Sequence, residues 1–280
     1  MDPATTAFPL ARIAVPSPLL APFVGRLWLS GSAPGWPAAR EHILPTGQMH
    51  LVFRLEGPGL RVFQDGADLV GQRYPGPVIG GARSRFYIKE AGVAVVTIGA
   101  ELLPGAAQAL FGVSAEDLAG GHTSLSALWG AHSDSVLNQL AEAGEADAQL
   151  ALLDKLLCAR LPSLRGLHPR VAHSLTQFRL DARIGAMVER SAYSHRAFNA
   201  LFKEAVGLTP KRYARLLRFQ HMLERLRSAS GVSLSDLALA AGYSDQAHMN
   251  REFREFAGVT PLQYRALAPS SANHLTLAGA

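Results

Sequence analysis

The feature that most constrains this chain is a repeat inside it. Residues 184–194 read IGAMVERSAYS and residues 234–244 read LSDLALAAGYS, an offset of 50. After one extra residue in the second turn, FNALFKEAVGLTPKRY from Phe198 matches MNREFREFAGVTPLQY from Met249 at an offset of 51. Self-similarity at a fixed spacing means one supersecondary unit built twice. Each copy runs through a short first helix, a small residue in a turn, a second helix, and then Gly, an aliphatic residue, Thr and Pro. That order describes two helices joined by a tight turn, over about 184–206 and again over about 234–257.

In the second copy Leu234, Leu237 and Ala238 give the first helix an apolar face, and Gly242 sits in the turn where a side chain would obstruct close packing or a positive φ. Met249 and Phe253, four apart, face inward on the second helix, which leaves Gln246, Ala247, Asn250, Arg251 and Arg254 outside. In the first copy Phe198 and Phe202 form the inward pair and Arg196, Asn199, Ala200 and Lys203 lie outside. Both outer faces mix amides with cations. Asn and Gln can pair bidentately with adenine and Arg with guanine, while Lys neutralises backbone phosphate. One such helix would read as ordinary solvated surface. Two matching ones in a basic region point to the major groove of duplex DNA.

Between the copies, Thr209 to Arg227 has a capping Thr, Pro210 at the first helical position, and apolar Tyr213, Leu216, Leu217, Leu223 and Leu226. A helix of about 17 residues spans roughly 25 Å. A stiff connector of that length suits two reading helices set near successive major-groove turns, about 34 Å apart. Charge divides the chain at the same place. Residues 165–280 hold 16 Lys and Arg against 8 Asp and Glu, whereas residues 1–164 hold 11 against 14. A basic back half implies a polyanionic partner.

Ahead of the repeat the pattern changes. From about residue 10 to 100, short β-type runs are cut by Gly and Pro: Val24–Leu29, Gln48–Leu55, Leu60–Gln64, Phe86–Glu90 and Val93–Ile98. From about 104 to 160 the period becomes helical, through Val136, Leu137 and Leu140 and then Leu150, Leu153, Leu156 and Leu157. The break at Leu161–Pro169, with Pro162, Ser163, Gly166 and Pro169, marks the boundary between a domain over 1–164 and one over 165–280. The expected class is α+β: a β-rich, cupin-like barrel with a helical arm, then an all-α domain with two helix-turn-helix units on a linker helix.

At these residues the sequence resembles the AraC/XylS family of transcription regulators. LSDLALAAGYSDQAHMNREFREFAGVTPLQYR carries the Ala-Gly-Tyr-Ser turn and the Gly-Val-Thr-Pro-x-x-Tyr-Arg ending of the family signature, and the resemblance covers about Arg170 to Leu267. It implies a seven-helix DNA-binding domain in which Arg196, Asn199 and Ala200 read bases in the first unit and Gln246, Ala247 and Arg251 in the second. His248 stands where relatives usually carry a small hydroxyl residue, and Ala200 where a longer reader is common. In the front half, Ile43-Leu44-Pro45-Thr46-Gly47, His50-Leu51-Val52-Phe53 and Leu103-Pro104-Gly105-Ala106 resemble the N-terminal domains of a subset of the family. Such domains bind a small effector, mediate dimerisation, or do both.

The remaining chemistry points away from catalysis. No Gly-x-Ser-x-Gly elbow, phosphate loop or dinucleotide fingerprint appears in its required context, so neither an enzyme nor a cofactor is expected. A metal-binding cupin needs clustered imidazoles, and His42 and His50 are eight apart with no His-x-His. Cys158, the single cysteine, lacks the Pro-Cys-His setting of a DNA-repair alkyltransferase and reads as a structural thiol. No secretory leader or uncharged apolar run of spanning length is present, so a soluble cytoplasmic protein with no membrane partner is expected. Trp28, Trp36, Phe53, Phe63, Phe86 and Tyr87 either line an effector pocket or form ordinary core. The arm's Leu137, Leu140, Leu153 and Leu157 either make a homodimer interface or pack back on the barrel. The expected function is site-specific binding of promoter or operator DNA to control recruitment of RNA polymerase. The alternative is an architectural DNA binder with weak sequence choice.

Overall fold

The computed structural model describes residues 12–32, 40–161, 194–228, 232–269 and 271–276. The expected boundary segment and the first helix of the first unit fall in 162–193 and lie outside the described residues.

The front half is built from antiparallel strands β1 (Arg12–Ala14), β2 (Val24–Ser32), β3 (Arg40–Ile43), β4 (Met49–Glu56), β5 (Leu60–Phe63), β6 (Gln72–Tyr74), β7 (Val78–Gly80), β8 (Tyr87–Glu90), β9 (Val95–Leu102) and β10 (His122–Ser124). One sheet has the order β1-β2-β9-β4-β7-β10. The other is β11-β3-β8-β5-β6, where β11 (His274–Thr276) comes from the far end of the chain. The five runs expected from alternation became β2, β4, β5, β8 and β9 with ends moved by a few residues. The strands that alternation missed are mostly three residues long, too short to show a period.

Alternation decides what each face of the first sheet meets. Along β4, Met49, Leu51 and Phe53 are buried on one side, while His50, Val52 and Arg54 face a cavity on the other. Leu27 and Leu29 of β2 and Ile98 and Ala100 of β9 join the buried side. Helices α1 (Ala106–Phe111), α2 (Ser126–Trp129), α3 (His132–Glu142) and α4 (Ala146–Arg160) cover that side, with α4 against β1, β2 and β9 and α3 against β4. Leu140, Leu153 and Leu157 are fully buried there and Leu137 packs beside them. Of the two readings of the arm, packing back on the barrel is the one the structure takes. Cys158 is half-buried on α4, with its Sγ 3.3 Å from Ser17 Oγ.

The cavity, about 470 Å³, lies between the two sheets and is lined from both by a mixture of apolar and cationic or polar side chains. Trp28 and Tyr87 line it; Phe53 and Phe63 belong to the core instead, and Trp36 lies outside the described residues. His50 faces the cavity and His42 does not, the latter stacking on Phe86 at 4.4 Å. Among the described residues no group of three or more His, Cys, Asp or Glu is placed to hold a metal ion, and no helix is long and apolar enough to cross a membrane.

The back half contributes α5 (His195–Val206), α6 (Pro210–Ser228), α7 (Leu234–Ala240), α8 (Gln246–Ala257) and α9 (Pro261–Leu267). After α9 the chain turns, Tyr264 Oη donating to Ala272 O at 2.9 Å, and enters β11. There Leu275 is fully buried and pairs with His42 in the register of β3. The last strand thus crosses the expected division and edges the front sheet.

This edge is held by charge as well as by the ladder. Glu41 accepts from His274 Nδ1 at 2.9 Å and pairs with Lys89 Nζ at 3.2 Å. Burial pushes the Glu41 carboxyl up, but His274 and Lys89 outweigh burial and bring it from an ordinary 4.5 down to about 2. A carboxyl lowered on folding stabilises the fold above its ordinary value and loses that contribution as pH falls through the folded one. Acid titration of unfolding should therefore show a loss of stability between about pH 4.5 and 2 that Glu41→Gln abolishes. An unchanged acid limb in that variant would remove Glu41 from the account.

Candidate nucleic-acid interface

The second unit is assembled by short-range signals that the sequence displays. Ser233 caps α7, its side chain accepting from Asp236 N–H at 3.1 Å, and Asp245 caps α8 by accepting from His248 N–H at 2.6 Å. Gly242 between them has φ 80°, and a Cβ there would meet nothing closer than Arg218 Cδ at 3.9 Å. The turn therefore needs glycine for its backbone angle and not for space. Met249 and Phe253 are fully buried on the inner side of α8. Ala247, Arg251 and Arg254 are exposed, and Gln246 and Asn250 are half-buried beside them. Gln246 Oε1 accepts from Ser235 Oγ at 2.8 Å, which ties its amide to α7. His248 turns toward the turn, 3.1 Å from Ser244 Oγ and edge-on to Tyr243 at 5.4 Å between ring centres.

In the first unit Ser194 caps α5, accepting from Ala197 N–H at 3.2 Å, and Phe198 and Phe202 are the buried pair. Arg196, Asn199 and Ala200 are exposed on the outer face. Lys203 lies further along the helix, and its ammonium is paired with Glu116 of the front half.

The connector is α6, 19 residues long, with Thr209 Oγ1 accepting from Arg212 N–H at 3.3 Å as its expected cap. At 1.5 Å per residue it spans about 28 Å. Phe219 is its packing centre toward the second unit, 5.2 Å from Phe253 and 5.1 Å from Phe256 between ring centres. A buried ion cluster fixes the rotation of α8 on α6. Glu252, 3% exposed, accepts from Arg215 Nε at 2.6 Å and from Arg218 Nη2 at 3.0 Å, and Arg215 Nη2 reaches Glu255 at 2.5 Å. The sequence reading passed over Arg215, Arg218 and Glu252. The available signal was a carboxylate three residues after Met249, on the inward side of a helix whose partner has arginines at a spacing of three.

Helices α5 and α8 both end against the front half. A helix leaves its last four carbonyls without internal donors. On α5, Glu204 O accepts from Ala115 N–H at 2.8 Å and Ala205 O from Gly105 N–H at 2.9 Å. On α8, Phe256 O accepts from Phe86 N–H at 3.0 Å. Ala205 and Phe256 are equivalent positions of the repeat, 51 apart. The glycine that follows each helix, Gly207 at φ 83° and Gly258 at φ 74°, permits the contact. A Cβ on Gly207 would lie 2.8 Å from Ala115 O and one on Gly258 2.6 Å from the Phe86 ring.

Exposed faces mixing amide and cationic groups recur on α5 and α8, and α7, the Gly242 turn and α8 together define a class of helix-turn-helix protein. Comparison with known proteins agrees with that class. Residues 187–267 match the family described as "Helix-turn-helix domain", and residues 12–124 match "Domain of unknown function (DUF6597)". The HTH-type transcriptional activator RhaS of Pectobacterium carotovorum is 26% identical over 145 residues, 46% of this chain and 52% of RhaS. The HTH-type transcriptional activator RhaR of an Enterobacter strain is 30% identical over 120 residues, 43% of this chain and 37% of RhaR. A solved Chromobacterium violaceum transcriptional regulator, described as an AraC-type DNA-binding domain-containing protein, aligns at 22% identity and a TM-score of 0.33, over 36% of this chain and 94% of that one. The chain spans about half or less of the curated relatives it matches. Its C-terminal region, residues 187–267, is a helix-turn-helix domain.

The buried cluster yields a graded test. Glu252→Gln leaves two guanidinium groups facing a neutral side chain and should cost about 3–5 kcal/mol of stability. Glu255→Gln, at a partly exposed site, should cost under about 1 kcal/mol. Urea unfolding of both variants measures the difference, and equal costs would mean that the cluster does not fix α8.

Proposed function

We propose that the chain is a sequence-specific DNA-binding regulator of transcription that uses α5 and α8 as its two reading helices. The observation that carries this reading is the exposed face of α8, where Ala247, Arg251 and Arg254 project between Gln246 and Asn250. In the proposed complex Gln246, Asn250 and Arg251 meet base edges, Ala247 meets thymine methyls, and Arg254 grips phosphate. Arg196, Asn199 and Ala200 take the corresponding roles on α5. Lys203 is the further phosphate contact, available once it leaves Glu116.

The two-domain division near residue 164 fits a regulator in which the front half responds to a small effector and the back half to DNA. Two contacts support a route between them. Gln220 of α6 donates to Pro45 O at 2.7 Å and to Asn273 Oδ1 at 2.9 Å, and both Pro45 and Asn273 line the front cavity. The loop carrying Gly47 sits so close to α6 that a Cβ there would lie 2.9 Å from Leu216. A ligand that moves this loop pushes on the connector of both units. The word allostery then requires that effector and DNA affinities be coupled.

Selection of bound sequences from a random duplex pool tests the reading. One motif with two recognised segments about a helical turn apart is the expected result; salt-sensitive binding with no motif would favour an architectural binder. On the selected site Arg251→Ala should weaken binding by about 1–3 kcal/mol and leave nonspecific binding unchanged. Equal losses on both would end its base-reading role. Releasing Lys203 by Glu116→Gln should raise affinity at low salt and steepen the salt dependence by about one released counterion. An unchanged slope would mean that Lys203 does not reach phosphate.

A further inference from the structure

We propose that the cavity between the two sheets binds a small organic acid, its carboxylate held by Arg83 and its apolar body held by Trp28, Val52 and Val78. This deepens the effector reading above and rests on it.

The argument begins with unbalanced charge. Four cations, Arg26, Arg54, Arg83 and Lys89, line the cavity, and among the described residues no Asp or Glu does. Two of the four are answered from just outside: Arg26 Nε meets Glu101 at 2.7 Å and Lys89 Nζ meets Glu41 at 3.2 Å. Arg54 and Arg83 have no carboxylate within ion-pair reach among the described residues. Glu90, which acts on Arg54 through space, is bridged to Arg61 at 3.2 Å.

Both guanidinium groups are instead held by neutral acceptors. Arg54 Nη1 donates to Pro58 O at 2.7 Å, and Arg83 Nη2 donates to Gly121 O at 2.7 Å while its guanidinium carbon lies 4.2 Å over the Tyr87 ring. Each group is thereby aimed and still has N–H donors without a protein acceptor among the described residues. Half-buried charge without a partner opposes folding, and burial weighs against both cations here. The surrounding imidazoles feel the same field. Burial, reinforced by Arg26 and Arg83, takes His50 down to about 4, and burial with Arg83 takes His122 down to about 3, so both are neutral near pH 7. A planar fork of donors in such a setting suits a carboxylate or phosphate oxygen pair.

The rest of the wall selects between these anions. Trp28, Val52, Val78, Ile43 and Leu60 offer apolar surface that inorganic phosphate would leave uncovered. A volume of about 470 Å³ falls within the range of small-molecule sites, about 300–1,000 Å³. An acid with an apolar body uses both parts of the cavity at once.

The test is calorimetric titration of the full chain with butyrate, octanoate, benzoate and phenylacetate, each beside its primary amide, and with inorganic phosphate. At least one acid should bind at least about tenfold tighter than its amide, because hydrogen bonds to an ionised acceptor are about twice as strong as neutral ones. Arg83→Gln should remove that preference and Arg83→Lys should restore part of it. Circular dichroism melting checks that the variants fold, and Arg83→Met replaces Arg83→Gln if the latter does not. Amides binding as tightly as acids, no member of the panel binding, or phosphate binding alone would each overturn the proposal. Adding the same compounds to a DNA-binding measurement separates this site from the regulatory reading. An acid that occupies the cavity without changing DNA affinity keeps the site and sinks the effector role. An amide that changes DNA affinity while acids gain nothing keeps the role and sinks the acid site.

Discussion

The constraint on which the rest of the structure depends is the need of a helix to satisfy its last carbonyls. In α5 and α8 those groups are met by backbone N–H donors of Gly105, Ala115 and Phe86, all from the front half. Backbone hydrogen bonds tolerate little displacement, so α5 and α8 are each positioned on the front half at the C-terminal end and left open toward the outer, N-terminal face. The repeat makes the arrangement twofold: equivalent carbonyls, each followed by a glycine with positive φ, take equivalent donors. A change in the front half therefore has a direct mechanical connection to both units.

Around that frame the two halves solve the problem of buried polarity in opposite ways. Between α6 and α8, Glu252 and two arginines cancel one another in a closed cluster whose value lies in setting one rotation of the outer face. Inside the barrel the polar groups do not cancel. One face of its first sheet lies under α1–α4, where it supplies the core, and the other face keeps a cavity with apolar walls and two cations unanswered. The core and the cavity thus lie on opposite faces of the same strands, an arrangement that a period of two makes possible.

Much of this was legible in the residues. The inward pairs Phe198–Phe202 and Met249–Phe253, the cap at Thr209 and the turn glycine are short-range signals. They act through neighbours within about four positions, so the structure has them where the pattern put them. The β runs of five or more residues were visible for the same reason. Phe86 shows where legibility stops: as an aromatic at a strand edge it reads equally as pocket or core, and it is in fact the seat for Gly258. Three-residue strands such as β7 and β10 carry no period to read, and β11 pairs with a partner more than two hundred residues away.

The sequence by itself determined the class of protein, two helix-turn-helix units on one connector with amide and cationic outer faces, because helix periodicity and capping depend on local spacing alone. Only the tertiary structure decided that the arm packs on its own barrel, that Lys203 is held by Glu116, that the front half caps α5 and α8, and that Arg54 and Arg83 share a cavity without an acid. Each of these is a meeting of side chains far apart in the chain. Which charges end up paired depends on where the sheets and helices bring them, and no local pattern encodes that distance.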